Sequence, residues 1–222
     1  MCGRFTLTVD PAELQDTFNN YTFPNKFAPR FNIAPSQPVL AIPNDDKFKA
    51  DFFIWGLIPM WAKDPTIGNR LINARGETLA EKPSFRGSYR HKRCLILADG
   101  FYEWKTVAGR KTKTPYFIHM QDRKPFAFAG LWDHWEGPDG SDIKTCTIIT
   151  TTPNEITAPI HDRMPVILHP RDYKKWLDPA PQTPESLQPL IKPYPAEDMA
   201  VYAVSPMVNK ATEDMPEMVV PA

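Results

Sequence analysis

Apolar residues in this chain come in short runs, separated by turns rich in Pro, Gly, Asn and Asp. Short runs bounded by turn residues mark strands rather than long helices. Val39–Ile42 and Phe48–Trp55 read as strands. Arg93–Ala98 is mostly apolar and reads as a buried strand. Tyr102–Val107 and Pro115–Met120 flank Ala108-Gly109-Arg110-Lys111, a predicted hairpin turn. Pro125–Trp132 and Ile143–Thr152 continue the series, the second rich in Thr and Ile. Pro165–Leu168 and Met199–Val204 are later strands. Helices are few and short. Asp10-Pro11-Ala12-Glu13 predicts a helix running to about Phe18, with Asp10 as N-cap, Pro11 at the first position and Glu13 closing a capping box. Pro170–Leu177 and Pro184–Ile191 read as short helices opened by proline. Many short strands with few helices indicate the α+β class. The expected architecture is a curved, barrel-like, mostly antiparallel β-sheet core with short peripheral helices. With no internal repeat or low-complexity linker, residues 1–222 are expected to form a single domain. Residues 210–222, acidic and proline-punctuated, read as a surface C-terminal tail.

Composition sharpens this picture in three places. The 25 prolines are about twice the usual share of roughly 5% and are scattered, which fits a loop-rich β fold rather than a proline-rich linker. The 26 basic residues balance 26 acidic ones, which argues against indiscriminate nucleic-acid binding but leaves local patches open. Cys2, Cys94 and Cys146 form no C-x-x-C pair, and Cys94 and Cys146 sit in apolar runs as core thiols. A reducing cytoplasm fits that usage. No signal segment and no apolar run of membrane-spanning length is present. The histidines show no metal-ligand spacing, so neither metal nor cofactor is expected.

Cys2 follows Met1 directly. Removal of an initiator Met is favoured before a small residue, and the mature chain would then begin with a 1,2-aminothiol. A free α-amine has an ordinary pKa of about 7.7–8.0, so part of it is nucleophilic at neutral pH. The thiol beside it is a second strong nucleophile. Such a pair traps an aldehyde twice: the amine forms a Schiff base and the sulfur closes a thiazolidine ring. With Met1 retained, that nitrogen is an amide and the chemistry is absent.

Further segments carry candidate chemistry. In Asp99-Gly100-Phe101-Tyr102-Glu103-Trp104-Lys105, a glutamate lies among aromatics after a buried strand. Desolvation there raises a carboxyl pKa and suits a general acid or base; a surface Glu on a strand is the plainer alternative. Ile160-His161-Asp162-Arg163-Met164-Pro165 places a His, the side chain suited to proton transfer near neutrality, between a loop and a strand. Its plainer reading is a structural His beside an ion pair. Asn73 and Arg75, in Leu71–Thr78, offer an amide to orient a reacting group and a fork for a phosphate. From Gly68 to Arg93 the basic residues Arg70, Arg75, Lys82, Arg86, Arg90, Lys92 and Arg93 face only Glu77 and Glu81, with Phe85 and Tyr89 interleaved. That mixture suits single-stranded nucleic acid, where cations follow phosphates and rings stack on bases; a solvated charged face is the alternative. Trp55 and Trp61 offer either a stacking platform or core residues.

Taken together, these segments resemble the SRAP family, the SOS-response-associated peptidases or abasic-site processing proteins. The matching stretches are Cys2–Phe5, Arg30–Pro35, Trp55–Pro59, Ile72–Thr78, Ala98–Lys105 and Ile160–Pro165, and Val204–Asn209 fits the family's closing stretch. The resemblance implies a DNA-damage response protein that recognises abasic sites in single-stranded DNA, also at single-strand/duplex junctions. It implies that Cys2, once Met1 is removed, traps the ring-opened sugar aldehyde as a thiazolidine cross-link, shielding the site from strand cleavage and error-prone processing. Glu103 would be the acid/base for Schiff-base chemistry and its reversal. His161 would assist sugar ring opening, and Asn73 would position Cys2 and the sugar. Arg4 and Arg75 would grip phosphates, with Trp61, Pro35 and Arg86 as further DNA contacts. Where some members carry two adjacent tryptophans, this chain has Trp61-Ala62. The implied enzyme is lyase-like, with autopeptidase removal of the residue before Cys2. It would work as a monomer without cofactor in the cytoplasm, associated with the nucleoid when bound to DNA. Two other readings compete: an N-terminal-nucleophile or thiol hydrolase, and a non-catalytic single-stranded DNA-binding module.

Overall fold

The computed structural model describes residues 2–109 and 112–222. In chain order its strands are β1 (Arg4–Leu7), β2 (Arg30–Ile33), β3 (Pro38–Pro43), β4 (Asp51–Trp55), β5 (Asn73–Arg75), β6 (Arg93–Ala98), β7 (Gly100–Lys105), β8 (Thr114–Met120), β9 (Phe126–Glu136), β10 (Asp142–Thr151), β11 (Met164–Pro165), β12 (Ile167–Leu168) and β13 (Met199–Ala203). The α-helices are α1 (Pro11–Thr17), α2 (Arg86–His91), α3 (Tyr173–Trp176) and α4 (Pro184–Leu187).

The apolar runs build a closed barrel. Antiparallel pairings link β4 to β3, β3 to β6, β6 to β9 and β9 to β10. A parallel pairing then returns β10 to β4, with Cys146 opposite Trp55. β6 is buried at every position, as its unbroken apolar run requires. Closure removes the sheet edges that would otherwise template aggregation. A second, antiparallel sheet in the order β13-β8-β7-β1-β2 lies against the barrel. Its inner residues Phe5 and Phe101 meet Phe128 of β9 edge-on, with ring centroids 5.6 and 6.0 Å apart. Cys94 and Cys146 are fully buried, as core thiols.

Several predicted elements form as the local pattern dictates. Asp10 caps α1 by accepting from the backbone N–H of Ala12 and Glu13. β7 and β8 pair as the expected hairpin; Arg110 and Lys111 of its turn lie outside the described residues. Gly100 is not a bend: it opens β7, and a Cβ there would meet the Phe117 ring at 2.1 Å. Both proline-opened helices break into a 3-10 turn and a single α turn, Pro170–Asp172 before α3 and Gln188–Leu190 after α4.

β1, β2, β5 and α2 escape the hydrophobic pattern. The three strands have only three or four residues each, with polar side chains among them, too short a stretch for period two to register. α2 lies in the basic run, and its presence changes the reading of that run. Phe85 and Tyr89 are buried rather than stacking surfaces. Arg93 is wholly buried and donates to the carbonyls of Tyr89, Arg90, Trp176 and Asp178. Burial pulls its pKa down to about 10. Lys92 pairs with Asp133 at 2.6 Å.

The C-terminal segment from Pro206 crosses the outer face of the second sheet in two 3-10 turns. Val208 and Met218 are fully buried there. Asp214 accepts from the Arg30 Nε and the Phe31 N–H, both at 2.5 Å. Val208 and Val204 form a small second core with Tyr102 and Phe117. Among the described residues, no helix is long and apolar enough to cross a membrane.

Candidate active site

β1 begins two residues after Cys2, and its ladder with β7 carries the Cys2 end toward Glu103. Cys2 is fully buried, and its Sγ lies 3.7 Å from the Arg4 carbonyl. Burial, reinforced by the negative charge of nearby Glu103, pushes its thiol pKa well above the ordinary value. At neutral pH this sulfur is a thiol, not a standing thiolate. Glu103 is itself buried, 2% exposed. Desolvation raises its carboxyl to about 7, and the charge of Asp162 acts in the same direction. A carboxyl that titrates near neutrality both takes and returns a proton at little cost.

β5 supplies the third member. Its parallel pairing with β10 sets Asn73 opposite Ile148. Asn73 Nδ2 donates to the Cys2 carbonyl at 2.8 Å, across 71 residues of chain. Its Oδ1 is buried and has no hydrogen-bond partner among the described residues. Side chains alternate along a strand, so Asn73 and Arg75 leave β5 on one side while Ala74, fully buried, enters the core. Arg75 is exposed, and no ion pair engages it among the described residues.

The loop before β11 brings His161. Its Nδ1 accepts from the Arg163 backbone N–H at 3.1 Å. Asp162 Oδ1 also lies 2.9 Å from Nδ1. One nitrogen cannot accept from Arg163 and donate to Asp162 at once. Burial lowers the ring's pKa, which favours the neutral imidazole. Arg163, which sequence reasoning did not single out, anchors this loop. Its fork grips both Glu77 oxygens at 2.5 and 2.9 Å, and its Nη2 also donates to the Thr150 carbonyl. That bidentate pair holds the Glu77 carboxyl below its usual range. Its one sequence signal is charge opposite to Glu77, 86 residues away, which no local pattern reveals.

The remaining candidates lie apart from this cluster. Arg4 turns its guanidinium to the C-terminal segment, with Nη1 donating to the Val208 carbonyl at 2.6 Å and to Asn32 Oδ1 at 3.0 Å. Pro35 is half-buried in the turn between β2 and β3. The two tryptophans split: Trp55 is buried and donates to the Ile72 carbonyl, while Trp61 is 56% exposed. Trp61 and Pro59 form one wall of a groove of about 290 Å³, and Pro83, Ser84 and Gly87 form the other. Arg86, exposed, opens α2 at that wall. Among the described residues, no group of three or more His, Cys, Asp or Glu could hold a metal ion.

A family model described as SOS response associated peptidase (SRAP) matches residues 1–211. The chain belongs to the SRAP family. Among its SRAP-like relatives, the abasic site processing protein YoqW of Bacillus subtilis (strain 168) is 49% identical over 222 residues, covering 99% of each chain. The abasic site processing protein HMCES of Gallus gallus is 34% identical, covering all of this chain and 78% of its own. A crystal structure of a protein from Bacteroides thetaiotaomicron superposes with a TM-score of 0.89 at 27% identity, covering both chains completely.

Proposed function

We propose that this protein acts in the response to DNA damage, as an abasic-site processing protein that captures the lesion covalently through Cys2. The observation that carries the reading is the convergence of two distant segments on the chain's start: Asn73 holds the Cys2 carbonyl, and Glu103, raised to about 7, sits close enough to act on the thiol's charge. The relatives' names, abasic site processing proteins, point to the same substrate.

The chemistry follows from the site. Removal of Met1, by initiator processing or by self-cleavage, exposes the Cys2 amine. His161 hydrogen-bonds the ring oxygen as the abasic sugar opens to its aldehyde, the ring oxygen gaining a proton as the C1 hydroxyl loses one, so that the imidazole ends the step neutral. The amine nitrogen attacks the aldehyde carbon, and protonated Glu103 gives its proton to the departing oxygen, which leaves as water and leaves a protonated imine. Glu103, now a carboxylate, takes the proton of the buried thiol as sulfur adds to the carbon of that protonated imine, whose nitrogen becomes the neutral ring amine. The sum is aldehyde plus aminothiol giving thiazolidine plus water. Running the steps backwards releases the sugar. A thiol kept protonated by burial suits this amine-first order better than direct attack on an amide, which disfavours the thiol-hydrolase reading.

Single-stranded DNA, including strands at a duplex junction, is the partner in this reading. Arg75 and Arg86 contact phosphates and exposed Trp61 stacks on a base, while Arg4 and Pro35 support the site's margin. A monomer suffices, bound to the nucleoid when it meets a lesion. The test is an abasic oligonucleotide incubated with the protein, whose intact mass first establishes that Met1 is gone. Wild type should give a heat- and denaturant-stable adduct, absent with intact oligonucleotide. Cys2→Ala should give at most a weak imine trapped only by reductant; an undiminished heat-stable adduct from Cys2→Ala would sink the reading.

A further inference from the structure

The strand ladder stops short of the two residues the proposed reaction needs. β1 and β7 pair at Arg4 with Tyr102, Phe5 with Phe101 and Thr6 with Gly100. Cys2 lies two residues outside the first of these pairs and Glu103 one residue outside. Glu103 itself pairs with Tyr116 of β8, but no strand pairing ties Cys2 to it, so the separation of thiol and carboxyl is left to other contacts.

Those contacts run to the C-terminal segment. Arg4 Nη1 donates to the Val208 carbonyl and to Asn32 Oδ1. Asn32 is fully buried, and its Nδ2 donates onward to the carbonyls of Lys210 at 3.0 Å and Glu213 at 2.8 Å. On the other strand, Trp104 Nε1 donates to Asn209 Oδ1 at 2.7 Å. Val208, with no exposed surface, packs into the small core with Tyr102. Paired residues of an antiparallel ladder share a face, and alternation then sets Arg4, Tyr102 and Trp104 on the outer face. Glu103 leaves β7 on the opposite face.

We infer that this latch is a positioning device: Asn32 and Asn209, through Arg4 and Trp104, fix the ends of β1 and β7 from outside and so set the separation of Cys2 from Glu103 for the abasic-site chemistry proposed above, on which this assignment rests. Neither asparagine touches the reacting atoms. Asn209 acts through Trp104, the neighbour of Glu103, and Asn32 through Arg4, two residues from Cys2. A buried amide bonded at once to β1 and to the C-terminal segment holds one geometry, because each lost bond would leave a buried polar group unpaired.

The experiment uses the full chain with Met1 removed. Asn209 is exposed, so its variants keep the fold. The readouts are the single-turnover rate of thiazolidine formation per folded molecule and the Glu103 titration midpoint from carboxyl NMR. Asn209→Ala should slow adduct formation by about 10- to 100-fold, the scale of a small misplacement of reacting groups. It should also move the Glu103 midpoint down toward an ordinary glutamate. Asn209→Asp keeps an oxygen for the Trp104 indole and should restore most of the rate. Trp104→Phe should match Asn209→Ala, and the double variant should be no slower than either. A wild-type rate with an unmoved midpoint in Asn209→Ala, or strictly additive losses in the double variant, overturns the inference. If wild type itself forms no adduct, the functional reading falls, and the Glu103 midpoint alone decides whether the latch positions the pair.

Discussion

Cys2 and Glu103 are both shifted by the fold toward their protonated forms. The thiol stays protonated and the carboxyl titrates near neutrality, and burial is the largest cause in each case. That has a consequence for stability. The folded-state pKa of Glu103 is raised from 4.5 to about 7, so folding favours the protonated form. The stability it contributes is fully present below about pH 4.5 and is lost as pH rises through about 7. The loss amounts to about 3 kcal/mol, at roughly 1.4 kcal/mol per pKa unit. Glu103→Gln keeps the shape and cannot ionise. Its stability advantage over wild type should therefore be larger at pH 8 than at pH 5, by about that amount, when both are unfolded in urea at each pH. An advantage independent of pH would mean that Glu103 is not desolvated as described. In the same variant, adduct formation should slow by about 10²–10⁴-fold and lose its inflection near pH 7, as expected on removing a general acid–base group.

At the scale of the element, β5 does two tasks with three residues. One residue turns into the core, and the two beside it share the site's side. Asn73 is spent on Cys2, while Arg163 occupies Glu77, and among the described residues no ion pair engages Arg75. Arg75→Ala should therefore weaken binding to single strands of every sequence. It should make the plot of log affinity against log salt shallower by about 0.7, the value for one phosphate neutralised. A non-reactive abasic analogue serves as the ligand, so that cross-linking does not mask affinity. An unchanged slope would move the phosphate contact to Arg86 or elsewhere. The long segments were readable: β6 matches its apolar run residue for residue, and α1 begins at its Asp10 cap. β1 and β5, which carry the site, were not readable as strands. Three or four residues alternate too briefly, and only their partners on β7 and β10 make them extended.

Across the whole molecule, Arg93 shows how a charge that reads as surface becomes structure. Its guanidinium joins the ends of α2 and α3 to the barrel wall through four backbone carbonyls, of which that of Arg90 also accepts from the Gln182 N–H. Arg93→Met fills similar space but removes the guanidinium donor from those carbonyls. The expected cost is about 1–3 kcal/mol, the range for leaving a buried acceptor unsatisfied. It should appear as a lower urea midpoint with little effect on the salt dependence of DNA binding. A salt slope that falls with Arg93→Met would instead return it to the nucleic-acid surface. Counting basic residues along Gly68–Arg93 therefore overstated the patch, since Arg93 and Lys92 are committed within the protein.

By itself the sequence determined the strand-rich α+β core, the buried Cys94 and Cys146, the cysteine at position 2 and the residue types of the segments that meet it. Those follow from local hydrophobic pattern and from chemistry that one side chain carries alone. Only the tertiary structure decided which polar residues act together: Asn73 with Cys2, Arg163 with Glu77, Asn32 with Arg4 and the C-terminal segment. Each of these pairs is tens of residues apart in the chain. Each is selected because a buried hydrogen-bonding group must find a partner wherever barrel closure and strand register bring one within about 3 Å.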